Sequence, residues 1–474
     1  MIDYVIIGGG IVGTNIAREL SKYDVKTLLL EKENDIANHQ SIANSAIVHS
    51  CHDLNDSTLK GKLCIEGNAL YDQLQKDLHI PLMKIGALVA ATSNEEKEIL
   101  KTLDTQVKNN GFTSEILTYE QAKKIEPNLA SSVLAALHLP YVKITYPWEV
   151  AFSCLENAVN NGVKYQKNAK VTKITVKNNY YEIEINNKTI IETKNIINSA
   201  GIFSKEILEM LNEDIGYETI PRKGEYFVLD KNVKGYVNHV IYPIPTKTSK
   251  GILVVPQIHG NILVGPTNII QKSLTNTSTS KKALTEIETL SSKLIDNIPF
   301  NKTIRTFAGI RSSSTYVDFY IKESIKYKNI YHLFGIDSPG LTAAPAIARY
   351  LVEEIIKINA PKNPNFNPTI AKKPLFHNLD PKTQKKLLLE KPLHGKIVCK
   401  CEKITKQEVI DAINSEVGSN TIKGIKKRVR AGSGTCQGGY CENEVLKIIA
   451  ECENKDLSDV NYYELNTPIL LKEN

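Results

Sequence analysis

Three glycines and four cysteines are the residues of this chain whose spacing most directly implies chemistry. Gly8, Gly10 and Gly13 in "IGGGIVG" stand in the G-x-G-x-x-G arrangement. There the first glycine makes a strand-to-helix turn, the second lets a pyrophosphate approach the backbone, and the third lets helix and strand pack closely. The helix N-terminus that follows supplies amide donors and a partial positive charge. Glu31 ends the next apolar run, 18 residues after Gly13, where its carboxylate can accept hydrogen bonds from a ribose 2′-hydroxyl. A 2′-phosphate would be repelled by that carboxylate, so NADP is disfavoured. The glycine spacing alone leaves NAD and FAD open.

The cysteines form two pairs far from the glycines. Cys399 and Cys401 make a C-x-C in "KIVCKCEKIT", and Cys436 and Cys441 make a C-x4-C in "RAGSGTCQGGYC". Four thiolates can hold a [2Fe-2S] cluster or a tetrahedral Zn²⁺. Zinc knuckles favour C-x2-C pairs, and neither pair has that spacing. The glycines beside the second pair leave backbone N–H groups free to point at the sulfurs, which raises a cluster's potential.

Both sites need elements to hold them. "DYVIIG" (2–7) and "KTLLLE" (26–31) read as buried parallel strands, and "IVGTNIARELSKY" between them has helical spacing at Ile11, Ile16 and Leu20. Residues 170–201 alternate and carry Asn-Asn turns, which predicts antiparallel strands ending in one buried strand. Residues 221–268 read as β-rich. A helix is expected from Lys281 to Ile298, and "NIYHLFGIDSPGLTAAPAIARYLVEEIIK" predicts a strand, a tight turn and a long amphipathic helix. Six of the chain's 19 prolines fall in 361–392 and mark a linker with one short helix.

Composition bounds the function classes. A chain of 474 residues predicts two or three domains, and 42% hydrophobic with 23% charged residues is ordinary for a globular protein. The net charge of +7 suits an anionic small-molecule substrate or an acidic redox partner. No basic stripe is interleaved with stacking aromatics, so nucleic acid is not an expected partner. The densest basic run, "KGIKKRVR", is expected to be a solvated helix or strand edge. The N-terminus lacks the features of a secretory signal, and no apolar run approaches the ~20 residues of a transmembrane segment. The expected location is cytoplasmic, possible attachment to a membrane being through a partner. Thiols there stay reduced, which turns clustered cysteines toward metal or redox work rather than structural disulfides.

The first ~355 residues resemble the glycine/D-amino-acid-oxidase-like superfamily of FAD-dependent oxidoreductases in "VIIGGGIVGTNIARELS", "ANSAIVHS", "NIINSAGIFS", "FAGIRSS" and "GIDSPGLTAAPAIA". Within it, "ANSAIVHSCHDLNDSTLKGKLCIEGNALYDQL" and "SKGILVVPQIHGNILVGPT" are most similar to the glycerol-3-phosphate dehydrogenase/oxidase branch, and L-2-hydroxyglutarate oxidases share much of the first stretch. The C-terminal module resembles the bacterioferritin-associated-ferredoxin-like (BFD-like) [2Fe-2S] domain. The fold these resemblances imply is α/β plus α+β. It has a Rossmann-like FAD-binding domain (about 1–80, 145–215 and 325–357) interleaved with a β-sheet substrate domain (about 81–144 and 216–324). A Pro-rich linker (358–394), the [2Fe-2S] module (395–455) and a tail (456–474) follow.

The resemblance also assigns residues. Gly8, Gly10, Gly13 and Glu31 would hold the ADP half of FAD, with Asn44 and Ser45 near the flavin and Val171 meeting the adenine through its backbone. Ala200 and Gly201 would line the cofactor, while Gly340, Leu341 and Thr342, opening the last long helix, would face the isoalloxazine. Helix N-terminal amides there would stabilise negative charge on the reduced ring. His49 is the expected base, because it matches the family histidine over the flavin and its imidazole titrates near neutrality. Arg311 matches the arginine that grips the substrate anion, Lys250 adds a point charge suited to phosphate, and Ser338 is a further candidate for a substrate hydrogen bond. Cys399, Cys401, Cys436 and Cys441 would hold the cluster. Relatives carry a glycine and an aromatic where this chain has Cys51 and His52, so the side chain at 51 is expected to narrow the space over the flavin. Cys51 is read as a buried inert thiol, and Cys64, Cys154 and Cys452 as structural.

The implied activity is oxidation of a small anionic alcohol, glycerol 3-phosphate first, with 2-hydroxyglutarate or a proline-type amino or imino acid as alternatives. A non-catalytic FAD/Fe-S electron-transfer subunit is the other reading. A one-electron cluster beside a two-electron flavin implies a dehydrogenase feeding a protein subunit or quinone chain.

Overall fold

A computed structural model gives the fold over residues 1–246 and 250–471. Strand Ile2–Ile7 is apolar and its last four residues are buried, the pattern of a strand covered by helices on both faces. It is flanked in parallel by Thr189–Asn198 and Thr27–Leu30. Lys164–Gln166 and Ile330–Phe334 extend the parallel array on either side. The hairpin Val171–Val176/Tyr181–Ile185 and strand Tyr320–Glu323 complete an eight-stranded sheet. Asn186 and Asn187, the second Asn-Asn pair, take positive φ where the chain turns into the buried strand.

Helices Ile11–Leu20, Pro147–Asn160 and Gly340–Tyr350 cover this sheet. Ile6, Ile16, Leu20, Leu29, Leu155 and Ile347 are fully buried between them, each contributing about 1.5–3 kcal/mol by leaving water. Pro345 lies inside the last helix and has no N–H to give the Leu341 carbonyl. The Tyr71 hydroxyl, from helix Leu59–Leu78, donates to that carbonyl instead at 2.7 Å. The helix then passes into a wide π turn over Leu351–Ile355.

A nine-stranded sheet is assembled from two separate chain segments, as the interleaving expectation requires. Its spine is the long antiparallel pair Thr219–Leu229 and Thr303–Ser314, and Ala87–Ala91 of the earlier segment joins in parallel with Val240–Pro243. A small three-stranded sheet, Ile47–Val48, Lys143–Thr145 and Leu82–Lys84, knits the segments together. The helix expected over Lys281–Ile298 ends at Ser291. Beyond it the chain turns to pair with 128–130, with Ala130 N–H on the Leu294 carbonyl and Asp296 N–H on that of Asn128.

The proline-rich segment is laced onto the first domain rather than standing off it. Asn363 N–H donates to the Lys22 carbonyl, Asn157 donates to that of Asn367, and Ile370 N–H to that of Asp77. A short helix, Pro381–Glu390, follows with Asp380 as its cap. The C-terminal module has a hairpin, Ile397–Cys399 with Ile404–Thr405, and helices Lys406–Ile413, Ile422–Val429 and Glu442–Glu453 around its own core. No helix among the described residues is long and apolar enough to cross a membrane.

Candidate functional site

A cavity of about 970 Å³ lies between the two sheets, lined by Gly8, Gly10 and Glu31 and also by His49, Lys250 and Arg311. Gly8 has φ +109°, and a Cβ there would lie 2.6 Å from the Ser199 carbonyl; a Cβ on Gly13 would lie 2.0 Å from that of Gly8. The turn therefore admits only glycine at both places. Gly10 caps helix Ile11–Leu20 and opens onto the cavity. The Glu31 carboxylate accepts from Gly9 N–H at 2.7 Å and Glu33 N–H at 2.9 Å, which fixes its plane, and burial pushes its carboxyl up. Asn44, Ser45, Val171, Ala200, Gly201, Gly340 and Leu341 line the same cavity. This glycine cradle, a helix N-terminus and a fixed carboxylate in one continuous cavity fit an extended dinucleotide such as FAD.

Thr342 departs from its expected place. It is fully buried and does not line the cavity; its hydroxyl accepts from His49 N–H at 3.0 Å and donates to the Ile47 carbonyl at 3.4 Å. It holds the strand that carries the histidine.

His49 lies at the end of strand Ile47–Val48, lines the cavity and is 7% exposed. Its Nδ1 is 3.3 Å from the Tyr242 hydroxyl. Burial, reinforced by the Lys250 charge, holds its pKa well below the ordinary value, so the imidazole is neutral at pH 7 and free to take a proton. Lys250 Nζ sits 2.9 Å from Asp53 Oδ1, and both line the cavity. Burial would raise the Asp53 carboxyl, but Lys250, with His52 and His49, holds it well below the usual range. Arg311 reaches across Gly224, whose Cβ would lie 2.7 Å from its Nη2, and donates to the Thr267 carbonyl. Ser338 also lines the cavity. Asp53, Arg222 and Tyr226 line the cavity and the buried Tyr242 backs His49; the sequence reading missed all four, strand register bringing Arg222, Tyr226 and Tyr242 here and the turn after His49 bringing Asp53.

Cys51 corrects the expectation of an inert thiol that narrows the flavin space. It turns away from the cavity and forms a disulfide with Cys64 of helix Leu59–Leu78, both fully buried. His52 is likewise buried, its ring edge-on to Tyr242 at 5.0 Å between centroids. Cys154 is buried as expected, whereas Cys452 is exposed on the last helix and has no structural burial.

The four remaining cysteines converge two by two. Cys401 and Cys436 Sγ are 3.7 Å apart, and Cys399 hydrogen-bonds Cys441. Among the described residues no group of three or more ligands converges on a single point. Two pairs of thiols suit two irons, each taking two thiolates, better than one tetrahedral ion. Amides of Gly432 and Glu402 point at the Cys399 sulfur, and those of Gly438 and Tyr440 at the Cys436 sulfur. A Cβ on Gly434 would fall 2.4 Å from Cys401 Cβ. These residues fit a [2Fe-2S] cluster.

The basic run is not solvated. Thr421 caps helix Ile422–Val429, whose Ile422, Ile425 and Val429 enter the module core. Its opposite face presents Lys427 and Arg428, with side chains 5% and 7% exposed, to Asp35 of the first domain. Arg428 grips Asp35 with both Nη atoms at 2.9 and 2.8 Å, and Lys427 reaches Asp35 at 2.8 Å and Asn38 at 2.6 Å. Asn38 lines the same cavity. Nearer the cysteines, Glu402 pairs with Arg430 at 2.9 Å and with Lys231 of the nine-stranded sheet's domain at 2.8 Å.

The family profile for FAD dependent oxidoreductases matches residues 3–354, and that for the BFD-like [2Fe-2S] binding domain matches 397–451. The chain is 38% identical to a glycerol 3-phosphate dehydrogenase of Caloramator mitchellensis over 97% of its own length and 96% of the relative's. It is 35% identical to a glycerol 3-phosphate oxidase of Mycoplasma genitalium, covering 77% of this chain and 97% of the other. Among solved structures, dithionite-reduced L-alpha-glycerophosphate oxidase of Mycoplasma pneumoniae with FAD bound superposes with a TM-score of 0.75 at 29% identity, covering 79% of this chain and 99% of that one.

Proposed function

The chain belongs to the FAD-dependent oxidoreductases and carries a BFD-like [2Fe-2S] domain, and on that premise we propose that it is a dehydrogenase converting sn-glycerol 3-phosphate to dihydroxyacetone phosphate. The observation that carries the reading is a cavity lined by a neutral His49 together with two cations, Lys250 and Arg311. The near full-length similarity to a glycerol 3-phosphate dehydrogenase supports the choice of alcohol.

When bound, FAD supplies a two-electron acceptor for hydride and the [2Fe-2S] cluster a one-electron carrier. The chain's own residues do the rest. Arg311 and Lys250 hold the phosphate, which places the secondary hydroxyl toward His49. The imidazole takes the hydroxyl proton as hydride leaves the same carbon. For Nε2 to be the accepting atom, Nδ1 must carry its proton toward the Tyr242 hydroxyl, a contact that orients the ring. Asp53 keeps Lys250 extended along the cavity wall and balances its charge when no substrate is present. Gly8, Gly10, Gly13 and Glu31 hold the cofactor's ADP half, Asn44, Ser45, Val171, Ala200 and Gly201 line its length, and Gly340 and Leu341 face its ring.

Docking of the cysteine module beside the dinucleotide loop supports an outward electron route through that module to a protein or quinone acceptor. An anaerobic titration of the holoenzyme tests the reading, following flavin bleaching and the reduced-cluster EPR signal. Glycerol 3-phosphate should bleach the flavin and raise the EPR signal, and 2-hydroxyglutarate should do neither. Bleaching by 2-hydroxyglutarate alone would overturn the substrate assignment, and bleaching without an EPR signal would overturn the route.

A further inference from the structure

The two long strands at the spine of the nine-stranded sheet carry a second cation that no motif marks. In the antiparallel pair Thr219–Leu229 and Thr303–Ser314, Arg222 is registered opposite Arg311, Gly224 opposite Gly309, and Tyr226 opposite Phe307. Directly opposed residues of an antiparallel pair project from the same face, with Cβ atoms about 4.5–5.5 Å apart. Arg222, Gly224 and Tyr226 on one strand, and Gly309 and Arg311 on the other, all line the cavity. The intervening Lys223 and Glu225 point the other way, where they are buried and ion-paired to each other at 3.0 Å.

Two like charges directly opposite each other destabilise a sheet. The neighbouring charges on the hidden face are neutralised, but among the described residues neither Arg222 nor Arg311 has a carboxylate partner. Among the described residues the Arg311 guanidinium meets only neutral oxygens, the Thr267 carbonyl and Asn268 Oδ1. An unneutralised arginine pair facing a cavity is what a dianion requires: each planar fork can take two oxygens of a phosphate, which a single carboxylate cannot offer to both.

We propose that Arg222 is a substrate-binding residue, the second arm of a two-arginine clamp with Arg311 that takes a dianionic phosphate monoester in preference to a monocarboxylate. This deepens the assignment above and rests on its placing of the substrate at Arg311. The clamp lies at the anionic end of the substrate, remote from the carbon that loses hydride, so it contributes equally to ground state and transition state. Its loss belongs in KM rather than kcat.

The test uses the FAD-loaded holoenzyme and two probes, glycerol 3-phosphate by steady-state kinetics and inorganic phosphate by perturbation of the flavin spectrum. Arg222→Met should raise both the KM for glycerol 3-phosphate and the Kd for phosphate by about 10- to 100-fold, the scale of lost charge-assisted hydrogen bonds, with kcat held within about threefold. Arg222→Lys, which keeps charge but not the fork, should fall between. If Arg222→Met fails to retain FAD, Arg222→Gln is read by the same criteria. Failure of phosphate to bind the wild-type protein, or equal phosphate Kd in wild type and variant, overturns the proposal. If glycerol 3-phosphate leaves the wild-type flavin oxidised, the substrate assignment fails, while the phosphate titration still decides the role of Arg222.

Discussion

At the scale of single residues, the site depends on a histidine kept neutral by its surroundings. Burial is the larger cause and the Lys250 charge the second, and both favour the uncharged ring. A base that must be neutral loses activity as pH falls through its pKa, so the acid limb of kcat/KM in the wild-type enzyme should lie below pH ~6.5, the ordinary histidine value. Lys250→Met removes a repelling cation and leaves the Asp53 carboxylate unpaired nearby. Both changes favour the imidazolium, so that limb should move upward in pH, in addition to any rise in KM. An acid limb that stays in place would show that Lys250 does not act on His49. His49→Ala should slow anaerobic flavin reduction by about 10²- to 10⁴-fold while FAD stays bound, as read from the absorbance ratio of flavin to protein.

At the scale of elements, glycines decide where the two cofactor cradles can close. The Gly434 turn lets the "RAGSGTCQGGYC" loop lie against the Cys399–Cys401 hairpin, and a Cβ there would collide with Cys401 Cβ at 2.4 Å. Both groups are main-chain-fixed, so the loop must shift, and Gly434→Ala should cost the protein most of its iron and acid-labile sulfide while FAD content is unchanged. Such local motifs were legible from the sequence, because a turn's glycines and a loop's cysteines sit within a few residues of one another. The strand–turn–helix at Gly8–Gly13 was legible for the same reason, whereas the interleaving of two sheets was available only through the family resemblance. Arg222 was not: its alignment with Arg311 spans 89 positions of sequence and depends on a register that periodicity does not encode. The disulfide of Cys51 was hidden by a general expectation about reduced thiols, although Cys64 lies on the next helix. The helix that stops at Ser291 has helical sequence beyond it, and tertiary pairing with 128–130 overrides that propensity.

At the scale of the whole molecule, one buried carboxylate joins the two cofactor-binding halves. Asp35 is 1% exposed and is held ionised by Arg428 and Lys427, which outweigh its burial. Burial would favour the neutral amine, and it brings the Lys427 pKa down to about 8. The sequence allows a solvated reading of "KGIKKRVR" because a basic helix face looks the same whether its partner is water or a carboxylate on another domain. A buried ion cluster is costly to break but not costly to replace: removing one side strands an uncompensated charge at about 3–5 kcal/mol, whereas removing both restores an apolar contact. Lys427→Met with Arg428→Met should therefore loosen the module from the dinucleotide loop. Trypsin should then cut faster within 358–394, and substrate should still bleach the flavin while the cluster's EPR signal grows at least about tenfold more slowly. Adding Asp35→Leu to that pair removes the stranded carboxylate and should recover much of the protease resistance. If the double variant is cut no faster than wild type, Asp35 is not what holds the halves together. If the triple variant is as labile as the double, the docking depends on the ionic geometry itself rather than on avoiding a buried lone charge.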